Sequence, residues 1–181
     1  IDGMTTCIAL IRGINLAGAR RMSMADLKAM LVSLKLKEPR TLLQSGNLVF
    51  IDPTRTPEQL ESLLEKETEK RLGMKSEYFV RTAEEWKEMV AKNPFTDEAK
   101  RDPGHLILHV LKGPVTVAQV KTLQGAIAGR EVAKHGSRHV YLTYPDGAGS
   151  SKLTSVILDR HLGRGTARNW NTVLKLLAMT A

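Results

Sequence analysis

Two polar stretches in the first fifty residues carry side chains suited to binding an anion. Arg12 and Asn15 follow a short apolar run, and a guanidinium beside an amide offers planar donors to a phosphate or a carboxylate. Gln44, Ser45 and Asn47 surround a tight turn, where uncharged side chains could read the edge of a ligand through hydrogen bonds. Each stretch also has a purely structural interpretation, because glycine-bearing turns use the same residue types to bind their own backbone.

Two stretches in the second half are candidates for phosphate binding. Residues 146–154 combine glycines with Lys152 ahead of a predicted helix, where backbone amides and the positive helix end could cradle an anion. Arg164 and Arg168 precede Trp170, and basic residues beside an aromatic face are typical of single-stranded nucleic-acid sites. A flexible loop and a tryptophan that only anchors packing are the structural alternatives. Two amides complete the candidate set, Asn169 and Asn171.

Patterns for metal or nucleophilic chemistry are missing from the sequence. The five histidines form no HExxH motif and have no cysteine cluster nearby, so we expect neither a metal site nor a cofactor. Cys7 lies inside an apolar run, which predicts a buried and inert thiol. His139, Tyr141 and Thr143 alternate onto one face of a predicted strand and could form an open surface for stacking bases, although the RNA-recognition signature is absent.

The positive charge is concentrated in the second half of the chain. The 181 residues carry a net charge of +8; residues 1–90 hold 14 Lys or Arg and 13 Asp or Glu, and residues 91–181 hold 13 and 6. This excess favours an anionic partner, although a basic surface that only aids solubility is an alternative. The single cysteine suits the cytoplasm, where we expect the protein, and no apolar run is long enough for a membrane segment.

The elements that position these residues follow one order twice, strand, helix, strand, strand, helix, strand, which is typical of a ferredoxin-like unit. Helix starts are indicated by Ser23, by Thr56 with Gln59, by Thr82 with Glu85, and by Thr116 with Gln119. We therefore predict an α+β protein of two tandem ferredoxin-like βαββαβ units, the second with a short last strand and an extra C-terminal helix. The first unit with its connecting helix covers residues 4–92 and the second covers residues 105–181, with a single compact domain as the alternative.

The finer layout predicts strands and hairpins that place the polar stretches. The predicted strands are Thr5–Arg12, Thr41–Gln44, Asn47–Ile51 and Lys75–Arg81, then His105–Lys112, Glu131–His135, Arg138–Tyr144 and Gly165–Arg168. Residues 93–104 are predicted to form a polar loop between the two units, because Pro94, Pro103 and Gly104 interrupt regular structure.

Three motifs in order, Arg12–Gly18, Leu42–Phe50 and Thr166–Leu176, resemble the family known as Domain of Unknown Function 1697. The resemblance extends from about Cys7 to the C-terminus. It implies a bacterial cytoplasmic protein with an α+β fold related to paired ferredoxin-like units, and it implies no particular activity. The matching polar positions are Arg12, Asn15, Gln44, Ser45, Asn47, Arg168, Asn169 and Asn171.

Two functions follow from these observations as hypotheses. The first is a binder of a phosphate-bearing anionic ligand, with nucleic acid or a nucleotide as the expected class, which uses the basic C-terminal half. The alternative is an enzyme that acts on a small anionic metabolite in a cleft lined by the Arg12 and Gln44 loops, for which the sequence names no general base or nucleophile. A purely structural role for the polar motifs is a third interpretation.

Overall fold

The computed structural model describes residues 4–12, 23–42 and 46–181. The chain divides into two compact units, Ile1–Lys87 with Leu176–Ala181, and Glu88–Lys175. Each unit contains a four-stranded antiparallel sheet with helices between its strands. Among the described residues, no helix combines the length and the apolar character needed to cross a membrane.

The first unit has the predicted order of elements. Its sheet runs β2-β3-β1-β4, and every neighbouring pair is antiparallel. This order of a βαββαβ chain is that of a ferredoxin-like unit, as the sequence predicts. The elements are β1 (Thr5–Arg12), α1 (Met24–Ser33), β2 (Lys37–Leu42), β3 (Asn47–Asp52), α2 (Pro57–Leu72) and β4 (Glu77–Thr82).

Capping residues fix the ends of α2, and apolar packing holds α1 and α2 on the sheet. Thr56 and Gln59 form a reciprocal capping box at the start of α2, and Gly73 ends this helix in a left-handed conformation with φ of 67°. Apolar side chains of α1 and α2, such as Leu27 and Leu64, pack with those of the sheet in one buried core. These contacts fix the sheet whose end carries Arg12.

One strand of the first unit begins earlier than predicted. β2 starts at Lys37 instead of Thr41, and therefore includes Pro39. Proline has no N–H to donate, but β2 is the outermost strand of the sheet, where one side of the backbone needs no partner. The pairing with β3 shifts register between Lys37 and Arg40, and Glu38 there has a positive φ of 48°. The irregular edge explains why periodicity did not indicate this start.

The second unit repeats the topology, with sheet order β6-β7-β5-β8 and antiparallel pairing throughout. The short last strand and the C-terminal helix are both present, as predicted. Its elements are β5 (Leu106–Leu111), α5 (Val117–Ala126), β6 (Val132–His135), β7 (His139–Thr143), α6 (Ser155–Leu162) and β8 (Gly165–Asn169). Two further helices contain the boundaries between the units, α3 (Ala83–Ala91) and α7 (Trp170–Met179).

The segment before β5 is not the loop that the sequence predicts. A short helix, α4 (Thr96–Arg101), is followed by a 3-10 turn at Pro103–His105. The Asn93 side chain accepts a hydrogen bond from the Phe95 N–H at 3.0 Å, a local turn that leads into α4. Phe95 is buried, so tertiary packing holds a helix too short to show apolar periodicity.

Candidate anion-binding site

The two polar stretches of the first unit begin at the same end of its sheet. The Ile11 N–H donates to the Gly46 carbonyl at 2.9 Å, so the end of β1 lies beside the start of β3. Arg12 is half-buried and lies opposite Glu77 of β4 in the antiparallel register. Of the predicted site residues, Asn15, Gln44 and Ser45 lie outside the described residues.

Asn47 serves the hairpin that joins β2 to β3. Its side chain is fully buried, and Nδ2 donates to the Leu42 carbonyl at 3.0 Å across the turn. A buried amide held in this way contributes to stability, and its bond to the chain's own backbone favours the structural interpretation of this position. Two predicted ligand-binding residues are described at this end of the sheet. Arg12 is half-buried and Asn47 is fully buried, so Arg12 is the more accessible of the two.

The loop between β7 and α6 is fastened by contacts of its own. Asp146 accepts a forked pair of hydrogen bonds from Arg130, and this bond lowers the pKa of the Asp146 carboxyl. The Ser151 hydroxyl donates to the buried Glu131 carboxylate at 3.0 Å. Lys152 is exposed. The negative charges of these two carboxylates repel an anionic ligand at the loop. These contacts therefore favour the structural interpretation over an anion cradle.

The residues from Arg168 to Asn171 mostly serve the junction of β8 and α7. The Arg168 guanidinium donates to Thr166 Oγ1 at 3.0 Å, and burial lowers the pKa of Arg168 to about 10. Asn169 Oδ1 accepts the Thr172 N–H at 3.0 Å, as a helix-capping residue does. Trp170 is only 3% exposed, so its ring anchors packing and offers little surface for stacking a base. Asn171 is exposed.

The suggested open face of the second sheet is closed. His139, Tyr141 and Thr143 do share a face of β7, but all three are buried. The Tyr141 hydroxyl lies 3.1 Å from His139 Nε2 and donates to the Met89 carbonyl of α3 at 2.6 Å. The expectation that bases could stack on this face is therefore wrong, because the face packs against other parts of the unit.

A group of basic residues meets at one end of the second sheet. The Lys112 N–H donates to the Arg164 carbonyl at 3.1 Å, and the Leu111 N–H donates to the Arg138 carbonyl at 2.9 Å. The Arg138 guanidinium donates to the Lys112 carbonyl at 2.7 Å. Three positive side chains therefore leave adjacent strand ends, and we call Lys112, Arg138 and Arg164 the basic end.

One cation of the basic end forms an ion pair with α6 and is still largely exposed. Arg164 donates to the Asp159 carboxylate of α6 at 2.9 Å, and its side chain remains 53% exposed. Lys112 and Arg138 are half-buried, so their charges lie close to the protein surface. Of these three residues, only Arg164 is among the ligand-binding residues that the sequence predicts. Three cations at one end of the sheet contribute a positive potential that attracts anions.

Arg168 lies away from the basic end, although it is on β8, the strand that Arg164 immediately precedes. It is opposite Leu108 in the register of β8 and β5, whereas Gly165 is opposite Leu111. Four residues along a strand separate Arg164 from Arg168 by roughly 13 Å. The structure therefore does not bring these two predicted arginines to one end of the sheet.

The single thiol of the chain is buried. Burial raises the pKa of the Cys7 thiol to about 12, which makes it unreactive at neutral pH. No group of three or more His, Cys, Asp or Glu in residues 4–12, 23–42 and 46–181 could hold a metal ion.

With this geometry in hand, comparisons with known proteins place the chain in a family. The family model described as "Protein of unknown function (DUF1697)" matches residues 4–141. The chain belongs to the DUF1697 family. Its match covers both the polar strand end of the first unit and two of the three residues of the basic end, Lys112 and Arg138. A search of curated proteins finds no match.

Two solved structures resemble this DUF1697 chain to different degrees. The conserved bacterial protein SP0830 from Streptococcus pneumoniae superposes with a TM-score of 0.78 at 23% identity, covering 98% of this chain and 99% of that chain. This likeness shows a shared fold over the full length. The putative chlorite dismutase TA0507 has a TM-score of 0.25 at 12% identity over 98% of this chain and 86% of that chain, and a score this low does not indicate a shared fold.

Proposed function

We propose that the protein binds a phosphate-bearing anionic ligand, nucleic acid or a nucleotide, through the basic surface of its second unit. The observation that supports this most directly is the basic end, where backbone hydrogen bonds hold Lys112, Arg138 and Arg164 on adjacent strand ends. Phosphates are the anions that clustered lysine and arginine bind best, because each cation can donate hydrogen bonds as well as charge.

The overall charge distribution supports the same function. Residues 91–181 have 13 Lys or Arg and 6 Asp or Glu, so the field of this half attracts a polyanion before contact is made. The binding surface we propose is therefore electrostatic and strongly dependent on salt. The cytoplasm is the compartment we propose, because the one thiol is unpaired and the expected ligands are abundant there.

Fluorescence anisotropy with labelled single-stranded and double-stranded oligonucleotides tests the proposal. We expect binding at about 50 mM salt that weakens steeply by about 200 mM. A plot of the logarithm of the binding constant against the logarithm of the salt concentration should fall with a slope of about −0.7 to −0.9 for each phosphate contact. Absence of binding to either oligonucleotide at low salt would contradict the proposal and would make the basic surface a feature that only aids solubility.

Two variants locate the binding surface. Lys112→Gln and Arg164→Gln each remove one charge from the basic end, and each should weaken binding and lower the salt slope by about one contact. Lys100→Gln, at an exposed position of α4, is the matched control because it removes the same charge outside the basic end. Equal losses in all three variants would show that only net charge matters.

The alternative function, an enzyme acting on a small anionic metabolite, has one specific observation in its favour. The bond from the Ile11 N–H to the Gly46 carbonyl brings the end of β1, which carries Arg12, beside the start of β3. A thermal-shift screen with phosphorylated and carboxylated metabolites tests this alternative. A stabilising compound whose effect is lost in Arg12→Gln, and kept in Arg164→Gln, would favour it over the first proposal.

A further inference from the structure

A groove of about 450 Å³ lies along β6, an edge strand of the second sheet. Its lining comes from α5, from β6, and from Lys92 and Pro94. We call it the α5–β6 groove. Its apolar surface includes Val117, Val120 and Ala133, and its basic side chains include Lys92, Lys121 and Lys134. Ligand sites of small molecules usually have volumes of about 300 to 1,000 Å³, so this groove is of that size.

The charged residues along the groove are all of one sign. Among the described residues that line it, each charged side chain is a lysine. Lys92 pairs with Glu88 on α3, and Lys134 Nζ lies 5.0 Å from the centre of the Phe95 ring. The aromatic ring attracts the ammonium group without neutralising its charge. The groove therefore has the charge that complements a phosphate.

One apolar side chain of the groove is exposed to solvent. Val117 is 54% exposed on the first turn of α5, whereas Val120 and Ala133 are buried beside it. Apolar surface bordered by cations suits a ligand with two parts, a flat or apolar ring and an anionic group. Inorganic phosphate alone would leave the apolar part uncovered.

The edge of β6 is already occupied, which argues against a peptide as the ligand. The Gln124 side chain donates from Nε2 to the Glu131 carbonyl at 3.1 Å and accepts the Ala133 N–H at 2.8 Å. These are backbone groups that a further strand would use to extend the sheet. A compact ligand that needs no strand pairing is therefore the better fit.

We propose that the α5–β6 groove binds a nucleoside phosphate, either as a free nucleotide or as one residue of a single strand. The base lies against Val117, and the phosphate lies between Lys121 and Lys134. This inference rests on the function proposed above, to which it adds a second contact surface on the same unit, for the base and phosphate of one nucleotide.

Titration of the ¹⁵N-labelled full chain with adenosine 5′-monophosphate, adenosine and inorganic phosphate, followed by NMR, tests the proposal. We expect the monophosphate to bind about tenfold more tightly than either fragment, because only it contacts both parts of the groove. The largest shift changes should fall on the amides of α5 and β6. Shift changes confined to Lys112, Arg138 and Arg164 would overturn the proposal.

Two variants separate the two parts of the groove. Lys121→Gln with Lys134→Gln should weaken the monophosphate and inorganic phosphate alike by about tenfold. Val117→Ser should weaken the monophosphate by about threefold and leave inorganic phosphate unchanged. These three positions are exposed, so the variants should fold, and Lys100→Gln should stay within about twofold of the parent chain.

The outcomes distinguish failure of the groove from failure of the proposed function. If the chain binds a labelled single-stranded oligonucleotide and the groove variants leave both oligonucleotide and monophosphate binding unchanged, the groove is overturned and the proposed function stands. If the chain binds none of the probes at low salt, both are overturned. If the groove variants weaken monophosphate binding, the groove is supported, and displacement of the oligonucleotide by the monophosphate then identifies a strand as a source of the ligand.

Discussion

The two sheets have the same topology, and their corresponding ends differ in charge. In the first sheet the Ile11 N–H donates to the Gly46 carbonyl at 2.9 Å, and in the second the Leu111 N–H donates to the Arg138 carbonyl at the same distance. Both bonds join the end of a unit's first strand to the hairpin ahead of its third strand. Glycine in one unit and arginine in the other therefore occupy equivalent positions.

The next position along the strand shows a stronger contrast. Arg12 lies opposite Glu77 in the first sheet, so the pair has opposite charges. In the second sheet the Lys112 N–H donates to the Arg164 carbonyl at 3.1 Å, so the equivalent pair has like charges. The charges at these two positions are therefore opposite in the first unit and alike in the second.

The contrast shows that the basic end is not required by the fold. The same topology forms with a balanced pair, and like charges at facing positions of a sheet cost about 0.2 to 1 kcal/mol. A chain that keeps such a pair loses stability unless another contact compensates, as Asp159 does in part for Arg164. Under the function that we propose, a bound anion offsets the repulsion between Lys112 and Arg164.

The largest expected effect comes from giving the second sheet the charge pattern of the first. Arg164→Glu creates an opposite-charge pair with Lys112 and places a carboxylate where a phosphate would bind. We expect oligonucleotide affinity at low salt to fall about a hundredfold, measured by fluorescence anisotropy.

The control for this reversal is Lys100→Glu, which makes the same change of charge on exposed α4. Its loss of oligonucleotide affinity should be several times smaller than that of Arg164→Glu, because only the long-range electrostatic field changes. Far-ultraviolet circular dichroism checks that both variants fold. If the two variants lose equal affinity, the comparison of the two sheet ends carries no functional meaning.

The next effect concerns stability at the first sheet's end. Asn47→Ala removes the buried amide that donates to the Leu42 carbonyl and leaves that carbonyl without this donor. We expect a loss of about 1 to 3 kcal/mol in the free energy of unfolding. Cys7 provides a measurement, because its buried thiol, with its pKa raised to about 12, should react with an alkylating agent mainly when the first unit opens.

Alkylation of Cys7 should therefore be faster in Asn47→Ala than in the parent chain, whereas oligonucleotide binding through the second unit should be unchanged. Ser62→Ala, at an exposed polar position of α2 in the same unit, is the matched control and should alter neither. Lost binding in Asn47→Ala at temperatures where the chain is folded would contradict the separation of roles between the two sheets.

Most of the fold was predictable because local chemistry and topology agree. Capping pairs such as Thr56 with Gln59 and Thr82 with Glu85 form the expected reciprocal hydrogen bonds. Short turns with glycine separate the paired strands in both units. The misses occur where tertiary structure overrides local signals, at Pro39 on an edge strand and at α4, which one buried side chain holds.

The candidate site was harder to predict from sequence, although a signal existed. Lys112 ends one predicted strand, Arg138 begins another and Arg164 precedes a third. A ferredoxin-like order brings those three positions to one end of the sheet, so the topology itself contained the cluster. Motif-based reasoning instead favoured Trp170, whose burial depends on packing that spacing alone does not show.

A smaller effect is expected at the second sheet's hairpin. His139 lies opposite Val110 as Asn47 lies opposite Leu10, so these two buried side chains occupy equivalent positions. A Cβ at Gly136 would lie too close to the His139 ring, whose Nε2 contacts the Tyr141 hydroxyl. Gly136→Ala should therefore displace the ring and lower the free energy of unfolding by about 1 kcal/mol.

Thermal or urea unfolding measures this loss, and Gly149→Ala is the control, because a Cβ there meets nothing within 4 Å. The oligonucleotide affinity of Gly136→Ala should drop only slightly, since Arg138 keeps its backbone bond to Leu111. An alanine at 136 as well tolerated as the one at 149 would show that the histidine ring does not brace this hairpin.

The smallest expected effect separates function from structure most directly. Lys112→Gln removes one of the two like charges at the facing positions of β5 and β8, and relief of their repulsion should raise the free energy of unfolding by about 0.2 to 1 kcal/mol. The same variant should weaken oligonucleotide binding. At the equivalent position of the first sheet, Arg12→Gln should instead lose a little stability, because Glu77 loses its opposite charge. Urea unfolding of the three chains at low salt measures the difference, which should shrink as salt is added. A destabilised Lys112→Gln would mean that the basic end is held together by its own contacts and that its charge serves the fold.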